Sequence, residues 1–305
     1  MRITQKVKKI LGHYESDNPG TKANLCRMLM HGRLAGTGKM VILPVDQGFE
    51  HGPGRSFGMN DLAYDPHYHY KLAVDSGCNA YAAPLGALEA GADTFAGAVP
   101  TILKVNSSNS LIEARDQAVT GTVNDALRLG CSAIGFTIYP GSDDMLEQME
   151  EIREMSEEAK SVGIATVMWS YVRGPGISKE GETAVDTIAY GAHMAALMGA
   201  HIIKVKLPSA HLENAEAKKV YQNQNIKIDT QEDRVRHVVQ SCFNGRRMVV
   251  FSGGGTKGSD SVYQDARDIY NGGGNGSIIG RNSFQRPQDE GMELLKNIMD
   301  IYKGK

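Results

Sequence analysis

What most constrains this chain is a unit that returns eight times: a short apolar run, then an amphipathic segment, with no linker or compositional break between them. The runs cover 40–45, 79–83, 101–105, 133–138, 165–170, 202–206, 248–251 and 277–279. Helical periodicity predicts helices over 66–76, 116–129, 143–162, 183–198, 230–243, 259–270 and 289–302, with only a weakly helical link after Ala83. Asp75-Ser-Gly77, Arg128-Leu-Gly130, Ser161-Val-Gly163 and Leu197-Met-Gly199 each put glycine where a helix stops ahead of a strand, the C-cap position. Strands alternating with helices form parallel sheets, and eight such units predict an α/β fold, a (β/α)8 TIM barrel over 37–305. Two doubly wound domains are the lesser alternative. Residues 1–36 read as an N-terminal helical cap, with Ile3, Val7, Ile10 and Leu11 on one helix face and a second short helix over 22–32.

The sixth run, Ala200-His-Ile-Ile-Lys-Val-Lys-Leu-Pro208, carries two lysines two residues apart. Strand side chains alternate, so Lys204 and Lys206 point the same way. Burial and a second cation both disfavour a charged amine, which leaves one lysine partly neutral and nucleophilic. That is the requirement for Schiff-base chemistry on a carbonyl. The alternative is a structural cation at Lys204 neutralised by a carboxylate, with Lys206 already in a loop.

A barrel does its chemistry at the C-terminal ends of its strands. Standing there are Asp46, Lys104, Asn106, Tyr139, Trp169, Tyr171, Arg173, the lysine pair, Ser252-Gly-Gly-Gly255 and Gly280-Arg281-Asn282. The glycine turn Ser252-Gly-Gly-Gly-Thr-Lys-Gly258 follows a strand and opens a helix, so its N–H groups can hold a phosphate, and Gly280-Arg281 completes a site of the kind barrels build after strands 7 and 8. The same turn spells G-x-G-x-x-G, but the unit comes last in the chain and the next strand ends in Arg rather than an acid, which weakens a dinucleotide reading. Trp169, Tyr171 and Arg173 share parity and can face one cavity, or form an aromatic layer beside a surface Arg. Asp46 can act as base, counter-ion or loop cap. His51 and the pair His67 and His69 raise the question of a metal, but the pair has no matching acid or Cys, so no metal is expected, and the pair is expected at the surface.

A formal net charge of -2 gives no electrostatic case for nucleic acid or an anionic membrane. Cys26, Cys78, Cys131 and Cys242 lie far apart and read as reduced core thiols. The N-terminus has charge without an apolar run behind it, and nothing is long enough to span a membrane, so a cytoplasmic protein acting on a small molecule is expected.

Taken together, Leu43-Pro-Val-Asp-Gln-Gly-Phe-Glu-His-Gly-Pro53, Ile138-Tyr-Pro-Gly-Ser142, Trp169-Ser-Tyr171, Ile202-Ile-Lys-Val-Lys206, Ser252-Gly-Gly254 and Gly280-Arg-Asn-Ser-Phe284 resemble the archaeal and bacterial class I fructose-bisphosphate aldolases of the DhnA type. The resemblance runs from about Gly36 to the C-terminus. It implies a barrel that cleaves fructose 1,6-bisphosphate through a covalent lysine imine, with no metal or other cofactor. It makes Lys204 the imine-forming residue, Tyr171 the proton-transfer residue, and Trp169 and Asp46 the lining of the reacting centre. Ser252, Gly253, Gly254, Gly280 and Arg281 would hold the ketose 1-phosphate, and Lys206, Arg173, Lys104 and His51 complete the expected substrate contacts. It further implies a homo-oligomer, often a ten-membered ring. The longer leading segment and Gln47, where several relatives carry His, depart from the pattern. Alternatives are a relative acting on another phosphorylated ketose, a non-catalytic sugar-phosphate-binding barrel, and a nicotinamide-dependent oxidoreductase.

Overall fold

The structure, a computed structural model, describes residues 3–112 and 116–305; Met1 and Arg2 of the leading segment lie outside them. Ten strands occur among the described residues: β1 Met40–Pro44, β2 Ala80–Pro84, β3 Thr101–Lys104, β4 Asn106–Ser107, β5 Ala118–Val119, β6 Ala133–Ile138, β7 Ala165–Ser170, β8 Ile202–Lys206, β9 Met248–Ser252 and β10 Gly276–Ile278. Eight of them close into a barrel in the order β1-β10-β9-β8-β7-β6-β3-β2, every neighbouring pair parallel. The expected (β/α)8 barrel is therefore the fold. Each strand set is nearly all apolar because the sheet is buried on both faces, by the barrel interior and by the helices.

The four predicted stop glycines do end helices. Gly77, Gly130, Gly163 and Gly199 have φ of 77°, 64°, 82° and 83°, the left-handed region in which a Cβ is strained. The helix expected over 116–129 is shorter, Val123–Arg128. Thr122 and Asp125 form a capping box that fixes its start, and the residues ahead of it instead pair β5 antiparallel with β4. The weak link after Ala83 contains one short helix, Leu85–Glu89. His67 and His69 are not a surface pair: His69 is buried and its Nε2 meets the Ala63 carbonyl at 2.7 Å, while half-buried His67 meets the Ala90 carbonyl at 2.8 Å.

The leading segment forms helices Gln5–Gly12 and Pro19–Leu29, begun by Thr4 and Asn18 caps. They close the floor of the barrel, at the N-terminal ends of the strands. The Tyr14 hydroxyl donates to the His201 carbonyl at 2.5 Å and accepts from the Met248 N–H at 3.3 Å. Asn18 and Asn24 amides donate to the Lys160 and Gly163 carbonyls at 2.6 and 2.8 Å. Val7, Leu25, Met28 and Leu29, each at most 1% exposed, join one apolar cluster with the inward residues Ile42, Ala82, Val167, Ile202 and Val250. Burying a side chain of this size stabilises by about 1.5–3 kcal/mol, so truncating Leu25 to Ala removes about 2–5 kcal/mol. With the floor filled, the cavity that opens inside the barrel lies at the other end.

Candidate active site

At that end the inward positions turn polar. Along β8, Ile202 belongs to the apolar interior while Lys204 and Lys206 face a cavity of about 630 Å³. The parity expected of the lysine pair holds. Pairing sets Trp169 of β7 beside Lys204 and Thr137 of β6 beside Trp169. The indole occupies space left by Gly135 on β6, where a Cβ would lie 2.0 Å from its Cζ3. The Lys204 ammonium is 5.4 Å from the Trp169 ring centroid and 5.3 Å from that of Tyr171. Contacts of this kind favour the cation, but burial dominates: it pulls the Lys204 amine down to about 8, helped by Lys104 and Arg281 and opposed by Asp46 and Glu50. An amine in that range supplies a useful neutral fraction near neutrality.

The other expected site residues fall into two groups. Asp46, His51, Tyr171, Arg173, Lys206, Ser252, Gly253, Gly254, Gly280 and Arg281 all line the cavity with Lys204. Trp169 and Lys104 lie beneath its surface, 1% and 2% exposed. The Lys104 ammonium donates to both the carbonyl and the side-chain oxygen of Asn106, sits 5.9 Å from the Trp169 centroid, and is driven below its usual pKa by burial. It is thus a buried second cation behind Lys204. Lys206 pairs with Glu182 at 3.2 Å. Burial lowers the Lys206 pKa as well, with nearby Arg173 adding to the effect. The Tyr171 hydroxyl is held protonated, its pKa raised well above 10 by burial and then by Asp46 and Glu50. Arg173 lies 5.6 Å from its ring and 5.1 Å from that of Tyr139.

A model of the DeoC/LacD family of aldolases matches residues 40–286, which spans the whole barrel. The chain belongs to that family. A Chlamydia muridarum protein bearing the name "Probable fructose-bisphosphate aldolase class 1" is 35% identical, the match covering 94% of this chain and 86% of that one. The Halobacterium salinarum class 1 fructose-bisphosphate aldolase is 33% identical over 82% of this chain and 85% of its own length. Among solved structures, an archaeal fructose-1,6-bisphosphate aldolase with its catalytic lysine bound to the carbinolamine intermediate superposes with a TM-score of 0.76 at 27% identity, covering 92% of this chain and 98% of that one.

In this family member the loops after β9 and β10 are tied together at one rim of the cavity. The Asn282 side chain accepts from the Lys257 N–H at 2.8 Å and donates to the Gly255 carbonyl at 3.1 Å, while Arg281 reaches the Gly254 carbonyl at 3.4 Å. Gly253, Gly254 and Arg281 line the cavity at this rim. Residue-by-residue reading of the sequence passed over Asn282 as a tie, and over Glu50 and Glu182 altogether. Glu50, one turn after Asp46, also lines the aldolase cavity; its i+4 spacing from Asp46 is the signal that places it there. Among the described residues no group of three His, Cys, Asp or Glu side chains is gathered as a metal site.

Proposed function

We propose that this protein is a class I aldolase that reversibly cleaves fructose 1,6-bisphosphate to dihydroxyacetone phosphate and glyceraldehyde 3-phosphate, through an imine on Lys204. The observation that carries the reading is the placement of Lys204: a buried amine at the C-terminal end of a barrel strand, with its pKa lowered to about 8, opening into a cavity lined by Ser252–Gly255 and Arg281. Neutral Lys204 attacks the C2 ketone, and loss of water from the carbinolamine gives an iminium that accepts electrons from the C3–C4 bond. Asp46 takes the C4 hydroxyl proton as that bond breaks, which releases the aldehyde and leaves an enamine. Tyr171, protonated and 5.3 Å from Lys204 by its ring centroid, delivers and removes the proton at C3, with Asp46 balancing charge. The loop at Ser252–Gly254 with Gly280 and Arg281 binds the 1-phosphate and orients the ketose, so that binding remote from C2 is used at the reacting bond. Trp169 lies 5.4 Å from the Lys204 ammonium, and the Lys104 charge disfavours its protonated form.

Class I chemistry uses this covalent lysine in place of a metal. Residues 1–36 serve as a floor-closing extension of the barrel domain at 37–305. Exposed apolar side chains on Val185–Leu197, Tyr190 at 69% and Leu197 at 66%, support self-association into a homo-oligomer. No helix among the described residues is long and apolar enough to cross a membrane, in keeping with a cytoplasmic setting.

Borohydride reduction in the presence of dihydroxyacetone phosphate, followed by peptide mass mapping, tests the proposal. An adduct on the peptide carrying Lys204 is expected. An unmodified Lys204 in folded, ligand-binding protein would favour a non-catalytic sugar-phosphate-binding barrel.

A further inference from the structure

The two lysines of β8 face one cavity, and their ammonium groups lie 5.3 and 6.0 Å from the same Tyr171 ring. A carboxylate to which the mechanism above gives no task tells them apart. Glu182 stands in the 3-10 turn Gly181–Thr183, between β7 and the helix Val185–Leu197, and is 8% exposed. Its Oε2 lies 3.2 Å from the Lys206 ammonium and 3.1 Å from that of Lys179. Among the described residues no carboxylate makes such an ion pair with Lys204.

The turn that carries Glu182 is clasped on both sides. The Glu213 carboxylate accepts from the Ser178 N–H and from the Ser178 hydroxyl, both at 2.7 Å, and the Ser178 oxygen accepts in turn from the Gly181 N–H at 2.9 Å. A Cβ on Gly181 would lie 2.5 Å from the Glu213 Cδ, so this clasp closes only over glycine. Beyond the turn, the Thr183 carbonyl accepts from the Ser209 N–H at 2.7 Å, and the Val185 N–H donates to the His211 carbonyl at 3.0 Å. These bonds hold Glu182 against the end of β8. Around Lys206, burial disfavours the ammonium form, as do Arg173 from beyond β7 and Lys179 from the clasped loop, and Glu182 opposes all three.

Resting on the Schiff-base reading, we infer that Glu182 is a positioning residue that confines imine formation to Lys204, because its ion pair keeps Lys206 an ammonium with no lone pair to offer. Once that pair is removed, the nitrogen of neutral Lys206 adds to C2 of the ketose and its proton passes to the C2 oxygen. The carbinolamine takes a proton from solvent and loses water. Borohydride then delivers hydride to C2 of the iminium and leaves a secondary amine.

Borohydride trapping with dihydroxyacetone phosphate on the wild type, K204M and K204M/E182Q, with fragment-ion mapping to separate the two lysines, tests this. The wild type is expected to carry its adduct on Lys204 alone, and K204M none. K204M/E182Q should carry an adduct on Lys206 about tenfold or more above K204M, as a loss of one opposite charge warrants. In E182Q the NMR signal of the Lys206 Cε should titrate at lower pH than in the wild type. An unmodified Lys206 in K204M/E182Q that folds and binds dihydroxyacetone phosphate overturns the inference. So does equal trapping on Lys206 in K204M, where Glu182 is intact. Should the double variant fail to fold, an unshifted Lys206 titration in E182Q overturns it alone. Absence of any adduct in the wild type removes the Schiff-base reading itself, an outcome distinct from these.

Discussion

Gly135 on β6 and Trp169 on β7 divide one volume inside the barrel: a Cβ on Gly135 would stand 2.0 Å from Cζ3 and 2.4 Å from Cη2 of the indole. Lys104 and Lys204 approach the same ring, their ammonium groups 5.9 and 5.4 Å from its centroid. Gly135→Ala should push the indole toward Lys204, lower stability by about 1–3 kcal/mol and reduce activity. Trp169 is the only tryptophan in the chain, so its fluorescence reports the displacement directly. An unshifted spectrum at full activity would contradict this account.

Lys204→Met should keep the fold and lose both turnover and the borohydride adduct. The methionine fills nearly the same buried space, and circular dichroism separates loss of chemistry from loss of structure. A variant that retains near-normal turnover would remove the lysine from the mechanism.

Tyr171→Phe should still form the imine but slow cleavage by about 10²- to 10⁴-fold, the range typical for one positioned proton donor. Trapped adduct and steady-state rate, measured on the same sample, check this. An unchanged cleavage rate would exclude Tyr171 from proton transfer.

Arg281→Ala should act mainly on binding. Losing a hydrogen bond to a charged group costs about 1.5–3 kcal/mol, which corresponds to a rise in KM of about 10- to 100-fold. Competitive inhibition by inorganic phosphate should weaken in parallel, whereas kcat for bound ketose should change less. Equal loss in kcat with KM untouched would place Arg281 elsewhere in the mechanism.

Acid should loosen the barrel floor. His201 is buried, accepts the Thr166 N–H at Nδ1 and meets Asp17 through Nε2 at 3.0 Å, and burial holds its pKa below the unfolded value of 6.5 despite Asp17. Below 6.5 the unfolded chain therefore binds a proton that the folded chain resists. The stability is full above that value and is lost as the pH falls toward the folded pKa. Asp17, lowered by His201 although burial opposes it, adds a loss of the same sign at lower pH. The urea midpoint should drop between about pH 7.5 and about pH 5, and His201→Asn should make that drop shallower.

Much of this was legible because it depends on short periods. Alternation of two placed Lys204 and Lys206 on one face, and helix-ending glycines marked where strands begin. Other features leave no such trace. The floor is secured by side chains reaching backbone atoms far away, as Tyr14 reaches His201 and Met248, and a carbonyl acceptor carries no sequence signature. Glu50 leaves only its i+4 spacing from Asp46, because its helix of five residues is too short for a longer period. Lys104 was readable as a strand-end cation, but its bond to Asn106, which turns it inward, needs the geometry of β3 and β4.

The filled floor also sets the order in which molecules pass. With Val7, Tyr14, Leu25, Met28 and Leu29 stoppering one end, the cavity that holds Lys204 lies on the side of the strand C-termini. On the proposed mechanism, a ketose fragment attached to Lys204 in that well stays until its imine is hydrolysed. The aldehyde, which carries no bond to the lysine, then leaves first in cleavage and arrives last in synthesis.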